Sequence, residues 1–293
     1  MILCFEIGGS RIRAAVSVGG MLQGLGEVAT PTGVEAFLAA LNGFVRPGLR
    51  GVAVSIAGMV DPVSGRLRVA NIGYLDGRRV AEEWVAALAL PVLVLNDADC
   101  FALAEAVLGS GRGHTTVFGI ILGTGVGGGL VIDGKVVTGV GGFAGEWGHG
   151  PVVASPALRC GCGLTGCLET VGGARGIERL HLALQGAAVA SEAIVAGWRS
   201  GEPAAVATVA RWLDLVSGPL ALVLNVVGAG IVPVGGGLGN APDLVAALDR
   251  AVRSRVLRQT QVPLVVCAER SVDAGLHGAA VAGAAAFAAG VRD

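Results

Sequence analysis

Between Gly145 and Glu169 the sequence reads GEWGHGPVVASPALRCGCGLTGCLE. It gathers His149, Cys160, Cys162 and Cys167, the thiols spaced C-x-C-x4-C with the histidine eleven positions upstream of the first. Three thiolates and an imidazole complete a tetrahedral zinc shell and leave no position for water. The set therefore predicts a structural Zn2+ rather than a catalytic one. Such a metal would staple a glycine-rich loop that cannot hold one shape alone. A redox pair would be spaced C-x-x-C, which this sequence lacks. Glu146 and Glu169 bracket the cluster and would be held in place by it.

The second chemical stretch is Asn96-Asp97-Ala98-Asp99, between the apolar run Val92–Leu95 and a helical run Phe101–Leu108. Open α/β sheets place ligands beyond the carboxyl ends of their parallel strands. Asp99 is placed to cap the helix, which leaves Asp97 facing out of the strand end for chemistry. Two glycine turns complete the set. Gly8-Gly9-Ser10-Arg11 separates the apolar runs Ile2–Ile7 and Ile12–Val18. Its amides and hydroxyl could face a phosphate, or its glycines could simply close a hairpin. Gly123–Gly129 puts five glycines in seven residues after Thr116–Leu122. That density forfeits more entropy than a hairpin warrants and points to nucleotide contact.

Alternating strands and helices must hold these residues. Strand-like runs are Ile2–Ile7, Ile12–Val18, Gly51–Ala57, Val92–Leu95, Thr116–Leu122, Leu130–Val137, Ile231–Val234 and Leu264–Cys267. Helical spacing marks Val34–Val45, Val80–Leu90, Phe101–Leu108, Ala174–Leu184, Ser191–Trp198, Ala204–Val227 with a kink at Pro219, Asp243–Val256 and Ala274–Ala289. The alternation predicts an α/β protein. Strand, glycine turn, strand occurs once in each half, which predicts a duplicated fold with a phosphate chain clamped between the halves.

The 293 residues suffice for two domains with real cores. With 15% charged residues and a net charge of −1, the chain has no basic footprint for nucleic acid. The apolar start has no basic leader and carries Glu6, so no secretory signal is expected. Leu220–Val234 is broken by Asn225 and Pro233, and Ala279–Ala289 is mostly alanine, so no membrane span is expected either. Cys4, Cys100 and Cys267 are isolated and read as buried free thiols of a reducing, cytoplasmic compartment. His114, His181 and His277 have no companion ligands and read as surface or capping residues.

The motifs EIGGSRIRAAV, SIAGMVDP, NDADCFALAE, GIILGTGVGGGLVIDGKVVTG, GEWGH, RCGCGLTGCLE and VPVGGGLGN follow one another along the chain. In this order they resemble the ROK sugar kinases of the actin–hexokinase superfamily over nearly the whole length. NDADCFALAEA, ILGTGVGGGL and DAGLHGAA are most similar to the bacterial N-acetyl-D-glucosamine kinases of that family, while GEWGHGP leans toward its fructokinases and mannokinases. The resemblance implies an α/β, two-domain actin/hexokinase-like (ribonuclease H-like) fold with an interdomain cleft. A small domain would cover 1–111 and a large one 112–277, with a closing helix over 278–293 returning to the small one.

The same resemblance implies ATP- and Mg2+-dependent phosphorylation of a hexose, usually at the 6-hydroxyl. N-acetyl-D-glucosamine is the preferred substrate, with fructose, glucose or mannose as alternatives. Asp97 matches the catalytic base. Asn71, Asn96, Asp97, Glu146, His149 and Glu169 match sugar contacts, His149 also joining Cys160, Cys162 and Cys167 on zinc. Glu6, Gly8, Gly9, Ser10 and Arg11 match the first phosphate hairpin. Gly123, Thr124, Gly125, Val126, Gly127, Gly128, Gly129 and Leu130 match the second, and Gly235, Gly236 and Gly237 the adenosine-side loop.

One departure stands out. The family's first loop begins D-x-G-G-T, and here Glu6 replaces the Asp and Ser10 the Thr. That Asp helps hold Mg2+ through water, so Glu6 implies a shifted metal or a lower rate. Repressors of the family carry a DNA-binding module ahead of the first hairpin, which here starts within the first ten residues. No nucleic-acid or membrane partner is expected, and a homodimer is, since family members are usually dimers.

Overall fold

Every residue of β1 (Ile2–Ile7) except Glu6 is buried. A strand covered on both faces reads as one continuous apolar run. The computed structural model describes residues 1–288 and sets β1 at the centre of a five-stranded sheet. β2 (Arg11–Val18) and β3 (Met21–Ala29) extend it antiparallel on one side. A two-stranded ribbon, β5 (Met59–Val60) with β6 (Leu67–Arg68), follows β4 (Gly51–Ile56), and β7 (Val92–Asn96) completes the sheet in the order β3-β2-β1-β4-β7. β1, β4 and β7 run parallel, as the position of Asn96 required. The strand-like runs read from the sequence did not include β3. β3 is an exposed edge with Gly24 and Gly26 inside it and a register shift opposite Ala14 and Ala15, so its alternation is blurred.

Alternation along β1 sorts the two faces. Leu3, Phe5 and Ile7 pack with Phe37 and Leu41 of α1 (Val34–Asn42) and Trp84 of α2 (Val80–Leu88). Ile2 and Cys4 pack on the opposite face with Ala15, Ala53 and Cys100, the last from α3 (Asp97–Leu108).

The second sheet repeats the first. β8 (Thr116–Leu122), β9 (Val126–Ile132), β10 (Lys135–Val136), β11 (Val232–Gly235) and β12 (Val265–Cys267) are ordered β10-β9-β8-β11-β12. Again a hairpin is antiparallel on one side and two strands run parallel on the other. This is the duplication that the two glycine turns predicted. One face carries α4 (Glu169–Gly172), α5 (Ala174–Gln185), α6 (Ser191–Ser200), α7 (Pro203–Val227) and α8 (Pro242–Arg253). Phe118, Ile120 and Leu122 meet Trp212 and Leu220 there. The other face packs on Ala102 and Leu103 of α3.

α3 and α9 (Ala274–Ala288) form the seam between the sheets. α9 lies on the first sheet through Leu276, Ala279 and Ala280. The Cys100 carbonyl of α3 leaves no room for a side chain at Gly278, so the two backbones approach closely. That contact explains why the closing helix is built of alanine and glycine. Of the helix expected over 278–293, residues 289–293 lie outside the described residues. α7 has the length and apolar composition of a membrane span, at 25 residues and mean hydropathy 1.4 in its most apolar window. It is a core helix, with Val209, Trp212, Val216 and Leu220 buried and the Trp212 indole donating to the Gly172 carbonyl at 2.9 Å. It stays helical through Pro219.

Candidate active site

β7 ends at Asn96, whose Oδ1 accepts the amides of Ala98 at 2.8 Å and Asp99 at 3.3 Å. Asn96 is therefore the N-cap of α3, which begins at Asp97 and not at Phe101. This corrects the expectation that Asp99 caps. Asparagine reaches the orphan amides from outside the first turn, whereas Asp99 sits inside that turn, buried, with Oδ1 unpaired among the described residues. Burial, then Glu146 and Asp97, push the Asp99 carboxyl up to about 7. The Asn96 Nδ2 donates to the Gly58 carbonyl at 3.1 Å, tying the strand end to the loop after β4.

Asp97 is left at the strand tip, its Oδ1 accepting the Ala98 amide at 2.9 Å. Burial pushes its carboxyl above the ordinary aspartate range, those nearby amides pull it back, and Glu146 pushes it further. Glu146 is raised in turn, by burial first and Glu169 as well, while His149 opposes the shift. Asp97 thus feels the charge of Glu146, which the metal loop after the second sheet's hairpin brings to the same site.

The predicted zinc ligands come together. The ligand atoms of His149, Cys160, Cys162 and Cys167 lie within 4.8 Å of one another. Cys160 Sγ is 3.7 Å from His149 Nδ1, and Cys162 Sγ is 3.6 Å from Cys167 Sγ. A tetrahedron with zinc–sulfur bonds of about 2.3 Å has edges of about 3.8 Å, so these separations fit Zn2+. The Gly150 amide points at Cys167 Sγ, 3.4 Å away, as a supporting donor to a thiolate. His149 divides its ring: Nδ1 faces the thiols, and Nε2 faces Glu146 Oε2 at 3.5 Å.

Glu169 begins α4, and its Oε2 accepts the Val126 amide at 2.6 Å. The end of the metal loop is thereby bound to the second glycine turn. In that turn the Gly123 carbonyl accepts the Ala174 amide at 2.7 Å, and Gly125 lies against the Glu169 carboxylate with no room for a side chain. Gly236, at φ +82°, backs onto Leu122 and Gly123, which joins the Gly235–Gly237 loop to the same turn. Gly128 and Gly129 have packing reasons of their own. A Cβ on Gly128 would lie 2.6 Å from the Trp147 ring, and one on Gly129 would lie 2.6 Å from the Ala98 carbonyl of α3.

The first turn closes through Gly8, whose amide donates to the Arg11 carbonyl at 3.0 Å and whose carbonyl accepts the Thr30 hydroxyl at 2.7 Å. Gly9 and Ser10 are exposed. Asn71 packs on this turn, where a Cβ on Gly9 would lie 2.9 Å from its own Cβ. Glu6 Oε2 pairs with Arg13 at 2.7 Å.

Some structural neighbours were not marked by the sequence. Trp147, between Glu146 and His149, donates its indole N–H to the Gly127 carbonyl at 2.9 Å. Arg13 faces Glu6 across the first hairpin, as the register of the two strand-like runs would have shown. His181 is buried and bonded to the Thr208 hydroxyl at 2.8 Å, not a surface histidine.

Two sheets of one topology, joined at a helical seam and bearing glycine turns at corresponding hairpins, define the actin/hexokinase-like class. The chain belongs to the ROK family, whose pattern it matches over residues 2–286. It is 35% identical to the N-acetylgalactosamine kinase AgaK of Shewanella sp. (strain ANA-3), covering 95% of each chain. It is 34% identical to the N-acetyl-D-glucosamine kinase of Pasteurella multocida (strain Pm70), covering 94% of this chain and 97% of that one. Its fold is similar to the ROK hexokinase from Thermus thermophilus, with a TM-score of 0.84 and 31% identity over 96% of both chains. It is also similar to a ROK glucokinase from Streptomyces griseus in complex with glucose and AMPPNP, with a TM-score of 0.73 and 28% identity over 95% of this chain and 97% of that one.

Proposed function

We propose that this ATP-dependent sugar kinase transfers a phosphoryl group to the 6-hydroxyl of a 2-acetamido-2-deoxyhexose, with N-acetyl-D-glucosamine preferred. The observation that carries the reading is Asp97: a desolvated carboxylate at the end of a parallel strand, coupled to Glu146 from the other half. In that role Asp97 accepts the proton of the attacking hydroxyl. Glu146, His149 Nε2 and the free edge of Asn96 hold the other hydroxyls, since each hydroxyl both donates and accepts. Glu169 completes the sugar shell from the glycine-turn side, and Asn71 reaches it from above the first turn.

The nucleotide is assigned to the Gly8–Arg11 turn, the Gly123–Leu130 turn and the Gly235–Gly237 loop. A cavity of about 190 Å³ beside Gly237, lined by Ala174, Leu238 and Asn240, offers space for the adenosine end. When bound, Mg2+ neutralises phosphate charge, and Glu6 is the residue of this chain placed to hold its water shell. Zinc is structural and fits the Cys3His set, where it would fix His149 and the loop carrying Glu146. The domains divide near 111–112, and closure of the cleft excludes water from the transferring group. The reading also makes the protein cytoplasmic.

Identity to an N-acetylgalactosamine kinase at the same level as to N-acetylglucosamine kinases favours one second reading, a preference for the 4-epimer. A coupled ADP assay with N-acetylglucosamine, N-acetylgalactosamine, glucose, mannose and fructose separates these cases. Glucose or fructose turning over better than both acetamido sugars would overturn the substrate assignment.

A further inference from the structure

The Glu6 carboxylate belongs to a charge bridge that the reaction above does not use. Strand register puts Arg13 opposite Glu6 on one side and Ser55 on the other. Arg13 Nη1 donates to Glu6 Oε2 at 2.7 Å, while Nη2 reaches Asp273, the residue just before α9. Asp273 adopts φ +56°, a left-handed conformation uncommon for a residue with a side chain. Two positions on, a Cβ at Gly275 would lie 2.8 Å from both Glu6 Oε1 and Ser55 Oγ, so the start of α9 lies close over this carboxylate. Arg13 and Gly275 thus border the acid, and Asp273 holds the other side of the guanidinium.

We infer that Arg13 is a positioning residue for the nucleotide end of the cleft. Its guanidinium holds Glu6 beside the Gly8–Arg11 turn and ties that turn to the segment by which the chain returns from the second sheet. The inference rests on the phosphate-binding reading of that turn. A planar fork can engage two carboxylates at once, which a lysine ammonium on a flexible stem does poorly. Without the fork, Glu6 loses the partner that aims it at the Mg2+ water shell, so binding of the Mg2+·nucleotide weakens while sugar binding does not.

The test compares Arg13→Gln and Arg13→Lys with the wild type, each checked for folding by its melting curve. Arg13→Gln should raise the KM for Mg2+·ATP about fivefold, the upper range for a partly exposed charge pair, and weaken calorimetric binding of Mg2+·ADP equally. The sugar KM should move less than twofold, and Arg13→Lys should fall between. Unchanged Mg2+·ADP affinity, or a sugar KM that rises in step, would overturn the inference. Because the ADP titration needs no turnover, a wild type that phosphorylates no hexose would count against the kinase reading and leave this readout intact.

Discussion

The carboxylate of Glu169 accepts the backbone N–H of Val126 at 2.6 Å, across 43 positions of sequence. One acid therefore belongs both to the loop that gathers the zinc ligands and to the turn assigned to phosphate. The groups proposed for sugar and for nucleotide are thus built against each other.

Gly125 shows how tight that junction is. Any side chain there collides with Glu169. Gly125→Ala should lower kcat/KM about 100-fold through misplacement of the acid and the turn, with zinc content unchanged. Wild-type kinetics in this variant would mean that the Glu169 contact positions nothing.

Asp97→Asn keeps shape and removes the base. A fall in kcat on the order of 1000-fold is expected, with sugar affinity nearly unchanged in a binding titration. The pH profile carries a second sign. As the proposed base Asp97 must act deprotonated, and its pKa is raised by burial and by Glu146. Activity should therefore be lost on acidification at a higher pH than for an ordinary aspartate. Glu146→Gln removes one cause of the rise, so the acid limb of residual activity should move to lower pH; movement to higher pH would contradict this arrangement.

Removing zinc should injure the sugar end first. Cys162→Ser deletes a ligand of the cluster at His149, and bound zinc measured by elemental analysis should fall to background. The sugar KM should rise about tenfold or more, as when the support of a metal-held group is lost, before nucleotide binding changes. Full sugar affinity in a zinc-free variant would show that the fold alone places Glu146 and His149.

Glu105 tests the seam. Fully buried on α3, its carboxylate accepts the Ser110 amide and hydroxyl, each at 2.9 Å, and the amides of Glu269 and Arg270. Both chain crossings between the sheets are thus fastened to one side chain. Glu105→Ala leaves those donors without it and should cost about 3 kcal/mol, measured by denaturant unfolding. A loss below about 1 kcal/mol would mean that water replaces the carboxylate freely.

Strong periodicity and turn chemistry made much of this legible beforehand. The largely buried strands β1 and β4 read as apolar runs, and the C-x-C-x4-C spacing marked thiols that the fold does gather around His149. What stayed hidden depends on contacts between distant segments. Asn96 and Asp99 are both good caps by type, and only the geometry of the strand end decides for Asn96. That Gly128 and Gly129 are also crowded by Trp147 and α3 was hidden, because those neighbours lie elsewhere in the sequence. β3 was lost because an exposed edge imposes no alternation.

Phosphoryl transfer to an acetamido sugar with Asp97 as base is the proposed reaction. Its most direct test is ADP release by purified protein with Mg2+·ATP and N-acetyl-D-glucosamine, with the product located by phosphorus–proton NMR coupling. The expected product is a 6-phosphate, formed with a kcat/KM at least about tenfold above that for glucose and abolished in Asp97→Asn. No ADP with any hexose, or undiminished turnover in Asp97→Asn, would contradict it.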